Sequence, residues 1–431
     1  MSHHSPSLST TGPTDGQASE VAPQKTSSKL ALIIRQFYPH LTGVVTQYRQ
    51  LGPELQKHGI QMCVHTAQTS LAPEPETQLD SITIHRSEIK PRPAALMSPG
   101  ELDENITQAA LSLWESKGDY PHTVIVFGFT WKLARYYWLF KKRGIRLILA
   151  LTIFPEFEEN LPRWFGKLKW QMRTILLTQL FDGLTVYSSA FVRLYRGLGI
   201  SSRKLHIIPF PVDDGRFRPA EDDEKRLLRK TLGFGDLDGP IIVFMGSVIS
   251  RKGADLLLAA WLLIEKNYPT ATLIFVGPYG PRETHLTASL RREQEHFQRG
   301  FQGLLDQLST PQSVRITGAV DNPEDYFRMA DIFAFPSRLE GLGGVIPEAM
   351  ACGLPCVLTR FEGFPETEFG KPGEHFLEAD FTPKSIAKAI QTLLDSSSER
   401  ARVGENGRSN ALRVFGLPHV AQKLAYLCRP T

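Results

Sequence analysis

The sequence predicts a two-lobed α/β protein, each lobe a doubly wound, mostly parallel sheet. Three observations carry this. The chain has 431 residues, more than one ordinary core supports. Short β-rich apolar runs alternate with helical stretches, and the alternation restarts in the second half of the chain. Between the halves lies Pro209–Pro219 (PFPVDDGRFRP), with three prolines and a glycine, which reads as a hinge. The expected division is a disordered tail over 1–28, an N-terminal domain over 29–213 and a second domain over 214–415. A last helix is expected within 416–431.

The first half opens on Leu30–Ile34, followed by a glycine loop over Tyr38–Thr46 and a helical stripe through Val45, Tyr48, Leu51 and Leu55. Ile60–His65 is the next strand, so this is a β-α-β unit of a parallel sheet. Gly43 stands where the chain turns from loop to helix, which places it at the carboxyl edge of the sheet, where open α/β sheets bind ligands. Further strands are expected at Ser81–His85, Thr123–Phe127, Arg146–Leu151, Gly183–Tyr187 and Lys204–Ile208, with a helix around Leu102–Trp114. Two stretches, Trp131–Arg143 (WKLARYYWLFKKR) and Arg163–Arg173 (RWFGKLKWQMR), are basic and aromatic. That composition suits a surface lying on anionic lipid. An ordinary outer helix, with its aromatics on the core and its charges in water, has the same composition.

After the hinge come a charged helix (Glu221–Arg229), the strand Ile241–Met245, the loop Gly246–Gly253 and a helix with apolar positions at Leu256, Leu257, Ala260, Leu263 and Ile264. Thr272–Val276, Val314–Thr317, Ile332–Phe335, Cys356–Thr359 and His375–Leu377 are the remaining strand candidates, and the long charged stretch Pro278–Pro311 is expected to be a helical insertion.

Composition excludes several function classes. Hydrophobic residues make up 42% and charged residues 22%, and the net charge of +4 is too small to call for nucleic acid. No run approaches the roughly 18–20 apolar residues of a membrane span. The first 28 residues are rich in Ser, Thr, Gly, Pro and Gln and lack the apolar core of a signal peptide. Four scattered cysteines (Cys63, Cys352, Cys356, Cys428) suit a reducing cytoplasm, and their spacing makes no metal motif. The expected location is cytoplasmic, with peripheral contact at the inner face of a membrane as an addition.

The chemistry concentrates in Phe335–Glu366. Glu340 and Glu348 have seven residues between them, separated by the glycine turn Gly341, Leu342, Gly343, Gly344, Val345. Eight positions is not a helix-face spacing, so Glu340 belongs in a loop and Glu348 in the first turns of a helix, where Pro347 is tolerated. Free first-turn amides attract an anion, and a carboxylate accepts hydrogen bonds from sugar hydroxyls. Ordinary N-terminal acids of a helix fit the bare spacing equally well. Arg251 and Lys252 lie in a second strand-to-helix loop that a parallel sheet would bring to the same edge. Two cations, a glycine turn and two carboxylates suit a diphosphate esterified to sugars. Neither GxxxxGK[ST] nor GxGxxG is present at the positions a P-loop or a nicotinamide site requires.

These residues resemble the retaining glycosyltransferases of family 4, which have the GT-B fold of two Rossmann-like domains facing a cleft. The likeness rests on RKG at Arg251–Gly253, PSRLEGLGG at Pro336–Gly344, PEAMACGLPCV at Pro347–Val357 and FEGFPE at Phe361–Glu366. It implies transfer of a sugar from a nucleoside diphosphate sugar to an acceptor hydroxyl with retention, an activity of the hexosyltransferase class (EC 2.4). Arg251 and Lys252 would hold the donor diphosphate, Glu340 the transferred sugar and Glu348 the ribose. Gly246 and the backbone over Gly341–Val345 would line the donor, and the last helix, around Leu417–Cys428, would cross back to the N-terminal lobe. The resemblance implies no metal and no cofactor beyond the donor, and a glycan or lipid-linked acceptor. Ser247 stands where relatives commonly carry arginine, and Phe129 and Thr152-Ile153-Phe154 stand where an N-domain histidine is usual. These departures keep a second reading open, a non-catalytic sugar-nucleotide or glycan binder on a decayed transferase scaffold. A sugar-nucleotide epimerase of the same fold is a third.

Overall fold

The computed structural model describes residues 28–39, 42–68, 72, 74–87, 99–115, 120–128, 133–151, 168, 172, 175, 176, 179–280 and 288–429. The tail over 1–27, Phe129 to Lys132, Thr152-Ile153-Phe154 and most of Arg163–Arg173 lie outside the described residues.

The first lobe runs β1 (Ser28–Ile33), α1 (Gly43–Lys57), β2 (Ile60–Ala67), β3 (Glu76–Leu79), β4 (Ile82–Ser87), α2 (Pro99–Glu115), β5 (Thr123–Val126), α3 (Ala134–Lys142), β6 (Arg146–Leu151), β7 (Gly183–Val186), α4 (Ser189–Gly197) and β8 (Leu205–Ile207). Its strands lie in the order β3-β4-β2-β1-β5-β6-β7-β8. All neighbours are parallel except the β3–β4 pair at the edge. β5 and β7 are buried at every residue, as strands covered by helices on both faces must be. β3 was not foreseen: it is short, polar and alternately exposed, an edge strand with little apolar signal. The stripe Val45, Tyr48, Leu51, Leu55 is buried, and Thr42 caps α1 by accepting from the Val45 amide at 3.3 Å.

The second lobe continues with α5 (Asp222–Thr231), β9 (Ile241–Met245), α6 (Ala254–Ile264), β10 (Thr272–Val276), α7 (Ala288–Leu305), β11 (Val314–Gly318), α8 (Pro323–Met329), β12 (Ile332–Phe335), α9 (Val345–Ala351), β13 (Cys356–Thr359), β14 (Leu377–Ala379), α10 (Pro383–Asp395) and α11 (Ser397–Phe415). Its six strands are all parallel, in the order β11-β10-β9-β12-β13-β14. Two expectations are corrected here. The last strand is Leu377–Ala379 and not His375–Leu377, because Phe376 turns into the core and its carbonyl accepts from Gly373 N at 2.7 Å in an isolated bridge with Pro372. The buried face of α6 is Leu257, Leu258, Ala260, Trp261 and Ile264, whereas Leu263 is exposed. That helix is apolar nearly all round, so period alone could not choose its inner face.

Between the lobes, Val212 donates its amide to Phe415 O at 2.8 Å and accepts from Leu417 N at 3.1 Å. The two chain crossings therefore run side by side. α12 (Leu417–Cys428) then packs into the first lobe, with Val420, Ala421 and Leu424 buried against the α1 side of its sheet. Among the described residues, no helix is long and apolar enough to cross a membrane.

Candidate functional site

In the second sheet, β9 and β12 are neighbours although they lie far apart in the sequence. Strand order reverses between them, so a crevice opens there at the carboxyl ends. The loop after β9 carries Gly246, Arg251, Lys252 and Gly253. The loop after β12 carries Ser337, Arg338, Leu339 and Glu340.

Glycine permits the two loops to touch. Gly253 has φ +73°, and a Cβ there would stand 1.8 Å from the Pro336 carbonyl oxygen. Backbone and side chains then bind the loops together. Arg338 N donates to Arg251 O at 2.9 Å. Arg251 Nη1 donates to Leu339 O at 2.8 Å, and Arg338 makes a two-pronged pair with Asp255 at 2.9 Å on each arm. A similar close approach occurs one strand over, where a Cβ on Gly277 (φ +143°) would meet Gly246 O at 2.1 Å.

This scaffold brings three of the expected residues together. Glu340 is 6% exposed, and its Oε1 is 2.6 Å from Lys252 Nζ and 3.6 Å from Arg251. Ser337, fully buried, donates its hydroxyl to the same oxygen at 2.7 Å. Lys252 also lies over the Phe335 ring at 5.2 Å. Arg251 remains half exposed, so its guanidinium reaches the open side of the crevice. Two cations against one carboxylate leave the crevice with net positive charge, which suits a diphosphate.

Glu348 stands apart from that cluster. It is the fourth residue of α9, directly after the glycine turn in which Gly343 takes φ +73°. Burial pushes its carboxyl up to about 7, Arg216 opposes the rise and Glu324 adds to it. Arg216 comes from the hinge and pairs with Glu324 of α8 at 2.7 Å. Leu342 and Gly343 are buried while Gly341 and Gly344 are partly open, so the turn presents backbone rather than side chains. Gly43 is placed elsewhere, at the first turn of α1 against Phe210 of the hinge, 3.3 Å from where its Cβ would be.

Sequence reasoning did not find Ser337, Arg216 or Glu324. Ser337 lies inside the PSRLEG motif, three residues before Glu340, and that proximity was the available signal. Arg216 and Glu324 are distant in sequence, and nothing local marks them. Nor did it find a second contact between the lobes. There Glu368 accepts from Ser189 N at 2.8 Å and from Ser189 Oγ at 2.7 Å, while Arg193 stands 3.5 Å from Glu366.

Comparison with known proteins gives the following. The family model described as "Glycosyl transferases group 1" matches residues 230–410, and "Glycosyl transferase 4-like domain" matches residues 42–211. A GDP-mannose-dependent monoacylated alpha-(1-6)-phosphatidylinositol monomannoside mannosyltransferase of Corynebacterium glutamicum is 30% identical over 53% of this chain and 57% of its own length. A GDP-mannose-dependent alpha-(1-6)-phosphatidylinositol monomannoside mannosyltransferase of Mycolicibacterium smegmatis is 29% identical over 68% of this chain and 73% of its own. A D-inositol 3-phosphate glycosyltransferase of Jonesia denitrificans is 31% identical over 51% and 49%. The chain thus spans about half the length of several curated relatives it matches. Among solved structures, sucrose-phosphate synthase from Thermosynechococcus elongatus superposes with a TM-score of 0.69 at 20% identity, covering 93% of this chain and 98% of its own. Anabaena Alr3699/HepE in complex with UDP and glucose superposes at 0.64 and 15% identity over 93% and 99%. These two likenesses establish the fold.

Proposed function

The chain belongs to the group 1 glycosyl transferases, with the GT-B fold, and on that premise we propose that it moves a sugar from a nucleoside diphosphate sugar to an acceptor hydroxyl with retention of anomeric configuration. The observation that carries the proposal is the meeting of Arg251, Lys252 and Glu340 from two loops at the strand-order reversal of the second sheet. In this reading the donor diphosphate lies against Arg251 and Lys252. As the glycosidic bond breaks, negative charge grows on the leaving phosphate, and cations already in place stabilise it more in the transition state than in the ground state. Glu340 is held ready by Ser337 and accepts from hydroxyls of the transferred sugar. Glu348 accepts from the ribose, and the backbone of Gly341–Val345 lines the diphosphate. The cation pair meets the donor's charge in place of a metal, so turnover is expected to persist in a chelator.

Two relatives are named for GDP-mannose and for phosphatidylinositol-linked mannosides, which makes GDP-mannose the first donor to try and a lipid-linked glycan the acceptor class we favour. The surface of the first lobe supports a peripheral contact with anionic lipid. In α3, Tyr137 and Phe140 face the core, but Trp138 is exposed with Lys142 over its ring at 3.7 Å. Leu168, Met172, Ile175 and Leu176 are exposed as well.

A screen of nucleoside diphosphate sugars that detects released nucleoside diphosphate tests the assignment. The expected result is release with at least one donor, lowered by about 10²–10³-fold in Lys252→Ala and Glu340→Ala. Saturable donor binding without release would favour the non-catalytic binder. An epimerised sugar nucleotide formed without acceptor would favour an epimerase.

A further inference from the structure

Away from the crevice, a cavity of about 430 Å³ lies between the segment 366–376 and α11. Glu366, Thr367, Lys371, His375, Asn410 and Arg413 are among its lining residues, whereas Arg251, Lys252, Glu340 and Glu348 are not. The wall is firmly built. Three residues spaced four apart on α11 hold the segment by its carbonyls: Arg402 on Gly373 O at 2.7 Å, Asn406 on Glu374 O at 3.2 Å and Asn410 on Glu368 O at 2.8 Å. His375 packs against Gly370 (φ +84°), where a Cβ would stand 2.6 Å from the ring. Its Nδ1 accepts from Lys371 N at 3.0 Å, so the neutral ring carries its proton on Nε2.

The corner is short of negative charge. Of the carboxylates nearby, Glu366 stands 3.5 Å from Arg193, Glu374 is shared by Lys371 at 3.7 Å and His375 at 4.0 Å, and Glu368 is taken by Ser189 of the other lobe. On α12, burial and then the charges of Lys423 and Arg413 hold His419 below its ordinary value. Lys423 is likewise lowered by burial and Arg413, with Glu368 opposing. Lys371 and Arg413 on the wall of an open, donor-rich cavity make a receptor for an oxyanion.

We propose that this cavity binds a small phosphate-bearing ligand of sugar-monophosphate size, its phosphate on Arg413 and Lys371, separately from the crevice. Thr367 donates to the Glu368 carboxylate at 3.0 Å and Asn410 donates to the Glu368 carbonyl, so the occupant rests on the two residues that brace the Ser189–Glu368 contact between the lobes. The binding itself does not depend on the transferase reading.

Isothermal titration of the full chain with inorganic phosphate and, separately, with a hexose 6-phosphate tests this. Saturable binding is expected, tighter for the hexose 6-phosphate because hydroxyls meet Glu366 and the polar face of α11. Arg413→Ala and Lys371→Ala should each weaken it about ten- to hundredfold, the range of a lost charge-assisted hydrogen bond. Lys371 is largely exposed, so Lys371→Ala decides the matter if Arg413→Ala fails to fold. Lys252→Ala should leave the affinity unchanged. No saturable binding of either probe overturns the proposal. So does binding that is lost in Lys252→Ala and kept in Lys371→Ala, because the phosphate would then be seated in the crevice.

Discussion

Lys252→Ala separates structural from chemical roles in the crevice. The substitution removes the cation nearest to a carboxylate that is 6% exposed, and Glu340 Oε1 then keeps Ser337 at 2.7 Å and Arg251 at 3.6 Å. Breaking a buried pair from one side costs about 3–5 kcal/mol, because the other charge stays buried. With a hydroxyl and a half-exposed guanidinium still present, the lower end, about 3 kcal/mol, is expected. Turnover should fall about 10²–10³-fold, the usual effect of removing one preorganised donor from developing charge. A second substitution tells the two losses apart. Glu340→Gln takes away the stranded charge, so the double variant should regain most of the stability but none of the turnover. Urea unfolding followed by tryptophan emission reads the first quantity, and initial rates of nucleoside diphosphate release read the second. Parental stability in Lys252→Ala would refute the buried pair. Recovery of turnover together with stability in the double variant would refute a role for Lys252 in the chemistry.

Further outcomes concern Glu348, Gly253 and the exposed face of α3. Because burial holds the Glu348 carboxyl up to about 7, donor KM should rise as pH falls below about 7, by up to tenfold per unit, if the ionised form binds the ribose. Arg216→Ala should move that limb to higher pH, since Arg216 opposes the rise. The same shift has a stability sign: the folded state holds this proton more tightly than the unfolded one, so stability is lost as pH rises from 4.5 through about 7, and Glu348→Gln should flatten that slope in urea titrations. Gly253→Ala should cost about 1–3 kcal/mol for its left-handed backbone alone, and more through the Pro336 contact. An unchanged urea midpoint would contradict the close approach of the two loops. Trp138→Ser with Lys142→Gln should reduce co-sedimentation with anionic vesicles at low salt, and a parental chain that never sediments would remove the membrane contact.

Much of the architecture was legible locally. Repeated strand–helix alternation, the proline-rich hinge and the stripe Val45, Tyr48, Leu51, Leu55 are consequences of period and turn chemistry, which act over a few residues. RKG and the paired glutamates were legible for a related reason. A glycine forced into a left-handed conformation and a charge that must sit in a loop leave marks in the sequence itself. Where local pattern was weak, reading failed: α6 is apolar nearly all round and hid its inner face, and polar β3 gave little sign of being a strand.

Other features exist only because distant segments meet. The order β11-β10-β9-β12-β13-β14 makes β9 and β12 neighbours, and that adjacency alone sets Lys252 2.6 Å from Glu340. Arg216 and Glu324 became the surroundings of Glu348 through tertiary packing with no counterpart in spacing, whereas Ser337 reaches the Glu340 carboxylate from within its own loop. The raised carboxyl of Glu348 has the same origin, since desolvation belongs to a position in a folded volume. The sequence by itself determined the kinds of elements and the charged groups available. Which of those groups lost their water, and which came to share one oxygen atom, was decided by how the sheet ordered its strands.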